Sequence, residues 1–401
     1  MNSLDLVSLG KIVTIREQLM KAQKEGMTVY RLESGDPSFK IHPRVKSAIE
    51  EAMLAEKTHY VPVDGIPELR REIADYYNKW HNFGINASDV FITNGAMHGL
   101  FVTFQAIHDD MLDNRIAMPD PEWTEIFENA RLAGLQPVQI AFDPEALADG
   151  SAYTADRLKN KNVEAVLINS PHNPTGTVLT YDQKKAFVER AVENDEWLIS
   201  DEAYETVTYG VNHIPVASLM PNDYDKWISI HSTSKSFAMS GLRLGFVITK
   251  NEKVKQRLSK ISRCSINGVN SITQWGAVEA FKLDRRNDPY FKEMNEEYAK
   301  RRQIIFDAIK SDKVASSVFT PVWPEGGFFL WCKVNPAYSA DALSEKLAKF
   351  GLGNAPGSCF GDSCTQAMRF SFSISTDQVE KGSKYLVELL NTKGFLDETK
   401  R

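Results

Sequence analysis

The sequence predicts an α/β protein with two domains, a larger one built on a mainly parallel seven-stranded sheet and a smaller one of the α+β type. Two observations predict the larger domain: short apolar segments recur through the middle of the chain, and helical patterns fill most of the gaps between them. The third observation is a change of pattern in the last third of the chain. The length of 401 residues suits roughly two domains of ordinary size.

Seven apolar segments are predicted as the strands of the larger sheet. Several are continuously apolar, as expected of strands that are covered on both faces. They are residues 89–94, 115–119, 136–142, 165–170, 197–201, 227–232 and 244–250. Because such sheets bind ligands beyond the carboxyl ends of their strands, polar motifs just past these ends are the first candidates for a functional site.

A helix is predicted to begin near Pro67, since proline suits the first turn of a helix. Leu69, Ile73, Tyr76 and Trp80 fall on one stripe of this helix and are expected to face the core.

The last third of the chain is predicted to form the smaller domain. A long helix is expected at roughly 285–310, followed by strands within 326–334 and 367–373 with a helix between them. The predicted division is residues 1–45 as an N-terminal segment that joins the small domain, 46–295 as the large domain and 296–401 as the small domain.

Composition and charge argue against several classes of function. Hydrophobic residues make up 42% and charged residues 25%, as in ordinary soluble proteins. A formal net charge of -6 disfavours a general attraction to nucleic acid or anionic membranes. The most apolar run, 326–332, is too short to cross a bilayer, and the first residues lack the apolar centre of a signal peptide.

The cysteines predict a reducing environment. Cys264, Cys332, Cys359 and Cys364 form no CxxC pair, and their spacing suggests neither a zinc site nor a disulfide framework. Four cysteines in a chain of this length suit a cytoplasmic protein. No metal site is predicted.

Lys235 lies in the segment HSTSKSFAMSGLRLG, directly after a predicted strand. A lysine in such a turn is usually a solvated surface residue. However, Ser232, Ser234 and Arg243 offer two hydroxyl donors and a planar guanidinium for a phosphate. A lysine beside a phosphate site is what pyridoxal 5'-phosphate (PLP) requires, because its amine must condense with the aldehyde of the cofactor.

Asp201 and Asn173 also follow predicted strands. Taken alone, Asp201 reads as a residue that caps a turn, and the segment SPHNPTG around Asn173 reads as a tight loop. In a PLP site, a buried aspartate pairs with the pyridine nitrogen and keeps it protonated. Tyr204 and Asn173 are then candidate partners of the phenolic oxygen of the ring.

Three further segments add candidates of the same kind. The segment TNGAMHG (93–99) follows a strand and opens a helical pattern, where backbone N–H groups form an anion site. Trp123 follows the next strand and is a candidate for stacking on the pyridine ring, although a core position is the commoner role for tryptophan. Arg369 lies in a predicted strand; such an arginine either reaches the surface or clamps a substrate carboxylate.

Together these motifs resemble the class I/II aminotransferases, the fold-type I PLP enzymes that are similar to aspartate aminotransferase. The resemblance spans nearly the whole chain, and Lys235 lies 34 residues after Asp201 and eight before Arg243. The matching segments are SGDP, YVPVDGIPELR, TNGAMHG, PDPEW, SPHNPTG, SDEAY, STSKSFAMSGLRLG and PEGGFFLW.

The resemblance implies a role for each matching residue. Lys235 would hold PLP as a Schiff base and move the proton between the substrate Cα and the cofactor. Arg369, helped by the backbone of Gly35, would bind the substrate carboxylate, and Asn173 would contact both cofactor and substrate. The residues implied to contact the cofactor are Gly95, Ala96, Met97, Trp123, Asn173, Asp201, Tyr204, Ser232, Ser234, Lys235 and Arg243, with Tyr60 reaching the phosphate of the neighbouring subunit of a homodimer.

The reaction is left open by this resemblance. Transamination between an α-amino acid and a 2-oxo acid is the first expectation. Elimination or cyclisation of a γ-substituted or arginine-like amino acid, as in capreomycidine synthase-like enzymes, is the alternative, and a non-catalytic PLP-binding regulator is a third. The identity of the substrate side chain is not predicted.

Overall fold

The computed structural model describes residues 10–142 and 153–401. Its helices are α1 (Lys11–Lys24), α2 (Pro43–Leu54), α3 (Pro67–His81), α4 (Gly95–His108), α5 (Thr124–Leu132), α6 (Tyr181–Glu193), α7 (Thr233–Ser236), α8 (Glu252–Ser265), α9 (Ser271–Phe281), α10 (Pro289–Ser311), α11 (Lys313–Val318), α12 (Ala340–Lys349) and α13 (Thr376–Asn391). Its strands are β1 (Val90–Thr93), β2 (Arg115–Asp120), β3 (Gln136–Ala141), β4 (Ala165–Asn169), β5 (Trp197–Asp201), β6 (Trp227–Ser232), β7 (Gly245–Ile248), β8 (Phe319–Val322), β9 (Phe329–Val334), β10 (Ala355–Pro356) and β11 (Ala367–Ser371).

The larger sheet has seven strands in the order β1-β7-β6-β5-β4-β2-β3. Each of the seven predicted segments contains or overlaps one of these strands, so the prediction of the sheet is confirmed. Strands β2 to β6 pair in parallel, and β7 is antiparallel to both of its neighbours. Strands β4, β5 and β6 are buried along their whole length, which suits their largely apolar sequences.

The direction of these strands positions the site. Because β4, β5 and β6 run the same way, their carboxyl ends meet at one edge of the sheet, at Asn169, Asp201 and Ser232. Strand β7 runs in the opposite direction, so the residues just before its start, including Arg243, reach the same edge.

Helix α3 begins at Pro67, as predicted, but its buried face was predicted only in part. Leu69 and Ile73 are buried together with Tyr77, whereas Tyr76 and Trp80 are only half-buried. Tyr76 still packs against the core, as predicted, whereas Trp80 does not belong to the core cluster. The residues at intervals of four pack inward, and Tyr77 is tolerated in the core because its hydroxyl has hydrogen-bond partners.

The smaller sheet is antiparallel, in the order β10-β11-β9-β8, and α10, α11 and α13 pack against one another beside it. The N-terminal segment meets this region: the backbone of Tyr30 bonds to Gly351 and Gly353, and Ser371 N–H donates to the carbonyl of Leu32. Helix α10 runs without interruption across residue 295, so the predicted domain limit there lies inside a helix. Among the described residues, no helix combines the length and apolar character needed to cross a bilayer.

Candidate active site

A cavity of about 600 Å³ opens at the edge where β4, β5 and β6 end. The structure brings most of the predicted site residues together around it. Those lining the cavity are Gly35, Ala96, Met97, Trp123, Asn173, Asp201, Tyr204, Ser232, Ser234, Lys235, Arg243 and Arg369. Gly95 lies directly behind Ala96, and Tyr60 lies elsewhere with its side chain 90% exposed.

Lys235 lies in the short helix α7, directly after β6. Its Nζ donates a hydrogen bond to the carbonyl of Gly35 and lies 5.6 Å from the centre of the Phe328 ring. No carboxylate within the described part of the chain forms an ion pair with it. Burial lowers the pKa of Lys235 to about 8, with Asp36 acting in the opposite direction. The neutral amine, which is the reactive form, is therefore far more populated near neutral pH than in an exposed lysine with its ordinary pKa of 10.5.

Asp201 ends β5 and is 6% exposed. Its Oδ1 accepts a hydrogen bond of 3.0 Å from the backbone N–H of Ala203. Burial raises the pKa of Asp201 from 3.8 to about 6 because the charged carboxylate has lost its water. A cationic partner at this position would restore its ordinary ionisation.

Replacing Asp201 by asparagine is expected to stabilise the cofactor-free protein by about 3 kcal/mol at pH 8 and by little at pH 4. Between pH 3.8 and about 6, the folded wild-type protein keeps a proton that the unfolded chain has released. Wild-type stability therefore falls as the pH rises through this window, whereas asparagine cannot ionise and escapes this loss. Denaturant unfolding of both proteins at the two pH values measures the difference.

The exposed residue Asp223 supplies a matched control, because Asp223→Asn also removes one carboxylate but from a solvated position. This control is expected to change stability by less than about 0.5 kcal/mol at either pH. An equal effect of Asp201→Asn at pH 4 and pH 8 would contradict the argument.

A second group of residues forms an anion cradle beside the lysine. Gly95 has a φ of 78° and begins α4; a Cβ at this position would lie 2.5 Å from Nη2 of Arg243. Glycine is therefore required for the guanidinium to lie against the start of the helix. The first N–H groups of α4, the hydroxyls of Ser232 and Ser234 and the Arg243 guanidinium together suit a phosphate.

Arg369, on β11 of the small sheet, is 1% exposed. Its Nη1 donates to Oδ1 of Asn173 at 2.8 Å and its Nη2 to the carbonyl of Glu33 at 3.0 Å, while the guanidinium lies 4.1 Å from the centre of the Phe329 ring. Burial lowers its pKa to about 10. Because a buried cation needs an anion, this arginine is suited to binding a carboxylate.

The backbone of segment 33–35 contacts both Arg369 and Lys235. The carbonyl that accepts from Arg369 belongs to Glu33, and Gly35, the predicted backbone helper in binding the substrate carboxylate, lines the same cavity. The carbonyl of Gly35 accepts from Lys235. The extended segment 33–35 thus contacts both cations, which requires packing between distant parts of the chain.

Sequence reasoning missed several residues at this site. Asn169 lines the cavity, and its Nδ2 donates at 2.8 Å to Glu122, a fully buried carboxyl whose pKa is raised by burial. Both follow or end strands, so the rule used for Asp201 applies to them too. Arg16 and Arg31 also line the cavity, and no sequence signal singled them out.

Comparison with known proteins agrees with this geometry. The family model described as "Aminotransferase class I and II" matches residues 28–386. The chain belongs to this aminotransferase family. It is 30% identical over 382 residues to an aspartate aminotransferase of Pyrococcus horikoshii, covering 93% of both chains. It is also 30% identical to a probable aspartate/prephenate aminotransferase of Aquifex aeolicus, covering 94% of this chain and 95% of that one.

Solved aminotransferase structures share the fold. An aromatic aminotransferase from Pyrococcus horikoshii superposes with a TM-score of 0.84 at 26% identity, over 94% of this chain and all of that one. A double mutant of the Thermus thermophilus aspartate aminotransferase gives a TM-score of 0.88 at 25% identity, over 97% and 98% of the two chains. The protein is therefore a PLP-dependent transaminase of the fold-type I class, as the sequence predicted.

Proposed function

We propose that this cavity is the active site and that it moves the amino group of an α-amino acid to a 2-oxo acid. The observation that carries the proposal is that one cavity encloses both the amine of Lys235 and the guanidinium of Arg369, and neither pairs with a carboxylate of the described chain. An amine that reacts with a carbonyl group and an arginine that binds a carboxylate are the two groups needed to recognise an α-amino acid at a PLP site.

The residues around the cavity fit the cofactor. Its phosphate is proposed to lie against Gly95, Ala96, Met97, Ser232, Ser234 and Arg243. The ring nitrogen is proposed to face Asp201, whose raised pKa calls for a cation. Trp123 is proposed to stack on the ring, and Asn173 and Tyr204 to donate to its phenolic oxygen; the Tyr204 side chain is buried against Phe328 and Phe329.

The chain's own groups perform the remaining steps. When bound, PLP supplies a protonated ring that withdraws electrons from the substrate Cα. Arg369 and Asn173 fix the α-carboxylate, so that the Cα–H bond is presented to Lys235. The Nζ of Lys235 would take the proton from the substrate Cα and deliver it across the amino nitrogen to the cofactor. Its lowered pKa favours the free base that this transfer needs.

For the substrate side chain, a carboxylate is proposed first. Relatives are named aspartate and aspartate/prephenate aminotransferases. Arg16 and Arg31 line the cavity, and the Nε of Arg31 donates to Glu33, which holds the Arg31 side chain in place. A cationic side chain is less well supported, because Glu33 is engaged by Arg31.

The experiment is a half-reaction. The purified protein, loaded with PLP and mixed with aspartate, glutamate, phenylalanine or arginine in the absence of any 2-oxo acid, is expected to convert the bound cofactor to its pyridoxamine form. One equivalent of the 2-oxo acid should appear, fastest with aspartate. Release of ammonia or of a cyclic product, with the original absorbance restored, would overturn transamination in favour of elimination or cyclisation.

We also propose that the enzyme is a cytoplasmic homodimer in which Tyr60 reaches the phosphate of the neighbouring active site. A tyrosine that is 90% exposed gains a partner in such an assembly. The four free cysteines suit a reducing compartment. A monomer in light scattering of the PLP-loaded protein would exclude the shared site.

A further inference from the structure

A chain of buried polar side chains lies behind Asp201, on the other face of the large sheet. It contains His231 and His213 together with the acids Glu202 and Glu205 and the hydroxyl of Ser229. Residues 200 and 202 flank Asp201 along β5, and residues 229 and 231 lie on the adjacent strand β6. Because neighbouring residues of a strand point to opposite faces, this chain and the Asp201 side chain are separated by the sheet alone.

The hydrogen bonds fix the proton on one nitrogen of His231. Its Nδ1 lies 3.1 Å from Oε2 of Glu205 and 2.9 Å from the hydroxyl of Tyr77. Tyr77 itself donates to Glu205, and Arg285 donates to the same carboxylate at 3.0 Å. An ionised carboxylate only accepts hydrogen bonds, so Nδ1 must carry a proton.

The second nitrogen faces a hydroxyl that has a choice of partner. The Nε2 of His231 lies 2.8 Å from Oγ of Ser229, and that Oγ lies 3.2 Å from Oε1 of Glu202. If Ser229 gives its single proton to the Glu202 carboxylate, Nε2 must be the donor. His231 then carries protons on both nitrogens and is an imidazolium.

His213 is fixed in the opposite state. Its Nδ1 lies 3.1 Å from the ammonium of Lys184, which can only donate, and its Nε2 lies 2.7 Å from Oε2 of Glu202. His213 is therefore a neutral imidazole with its proton on Nε2. Burial lowers its pKa, in keeping with this state.

The charge balance of the cluster favours the imidazolium form of His231. Among the described residues, two cations lie near the buried carboxylates of Glu202, Glu205 and, across the sheet, Asp201. They are Arg285 and Lys184, and burial lowers the pKa of Lys184 to about 8. Buried carboxylates need compensating charge, and His231 is placed to supply the third cation. The remaining titratable groups near it are Tyr77, His81 and His213; burial raises the pKa of Tyr77 and lowers those of both histidines, so all three stay neutral.

We infer that His231 is a positioning residue for the cofactor: as an imidazolium held by Glu205 and Ser229, it keeps the Asp201 carboxylate ionised through the sheet, ready to face the protonated ring nitrogen. This inference rests on the proposed role of Asp201. It assigns a function to a histidine that touches neither substrate nor cofactor.

The charge state is tested first, in the cofactor-free full-length protein. Long-range ¹H–¹⁵N NMR of the histidine rings, assigned by comparison with His231→Asn and His213→Asn, is expected to show both nitrogens of His231 protonated at pH 7 and only Nε2 of His213 protonated. A neutral His231 ring at pH 7 would overturn the inference.

The consequence for the cofactor is tested by the affinity for PLP as a function of pH. In His231→Asn, the pH below which PLP binding weakens is expected to move upward by about 1 unit. The affinity for PLP should then be about fivefold weaker near pH 6, approach tenfold weaker below about pH 5 and stay near normal at pH 8.5. His213→Asn, at the other end of the same chain, is expected to leave this profile in place. A profile for His231→Asn that matches the wild type, or a loss that is equal at all pH values, contradicts the inference.

The two proposals fail in different ways. If Asp201 does not face the ring nitrogen, Asp201→Asn binds PLP as well as the wild type does, and the proposed function of Asp201 fails. If Asp201→Asn weakens binding but His231→Asn leaves the pH profile unchanged, only the role of His231 fails.

Discussion

Replacing Lys235 by alanine is expected to lower the rate of the amino-transfer half-reaction by at least about 10⁴-fold. The variant loses the amine that is proposed to bond to the cofactor and to move the Cα proton. Lys235 is the one lysine among the described residues that line the cavity, so no other lysine there can replace its amine. Burial lowers the pKa of Lys235 to about 8, which favours the free base. Single-turnover formation of the 2-oxo acid from a saturating amino acid measures the rate.

Lys253→Ala is the matched control, because that exposed lysine pairs with Asp110 far from the cavity. It is expected to keep the full rate. It should also keep the yellow colour of the lysine-bound cofactor, which borohydride reduction removes. The position of the borohydride label adds a second readout, since it should be found on residue 235 in the wild type. A Lys235→Ala variant whose rate stays within tenfold of the wild-type rate would contradict the proposed role of Lys235 in the proton transfer.

Arg369→Leu is expected to lower kcat/KM for α-amino acids by roughly 10²–10³-fold, which corresponds to about 3–4 kcal/mol for a lost charge-assisted clamp. The guanidinium is 1% exposed and has no carboxylate partner within the described chain, so its attraction to a substrate carboxylate is little screened by water. Steady-state kinetics with the best amino acid of the panel measures the loss.

Two comparisons separate binding of the carboxylate from general damage to the site. An amine substrate that lacks the carboxylate should react equally slowly with wild type and variant. Arg369→Lys keeps the charge but loses the planar pair of donors, so an intermediate loss is expected. Equal losses for the amine and the amino acid would show that Arg369 acts on the fold or the cofactor instead.

Local patterns were sufficient for the large sheet and for most of the site. The largely apolar strands at 165–169, 197–201 and 227–232 are buried on both faces, and their apolar residues indicate this burial in the sequence. Because parallel strands end at one edge, Asp201, Asn173 and Lys235 could be expected to meet there before any contact was known.

The degree of burial of single helix residues and the partners of buried groups were not predicted. The choice between Tyr76 and Tyr77 depends on whether the hydroxyl finds a partner in the core, and Glu205 and His231 supply it from other parts of the chain. Likewise, only the packing of segment 33–35 against two domains decides that Glu33 contacts Arg369 and Gly35 contacts Lys235.

The sequence by itself determined the α/β class, the family and the PLP-binding motifs, because strand burial and the spacing of a lysine, an aspartate and an arginine are local properties of the chain. Only the tertiary structure decided which partners those groups receive. Arg369 reaches Asn173 from the other sheet. His231 contacts the hydroxyl of Tyr77 on α3 and the carboxylate of Glu205 after β5, and that carboxylate also binds Arg285 from the segment after α9. Such contacts join residues far apart in sequence, and they are set by how the layers pack rather than by any local pattern.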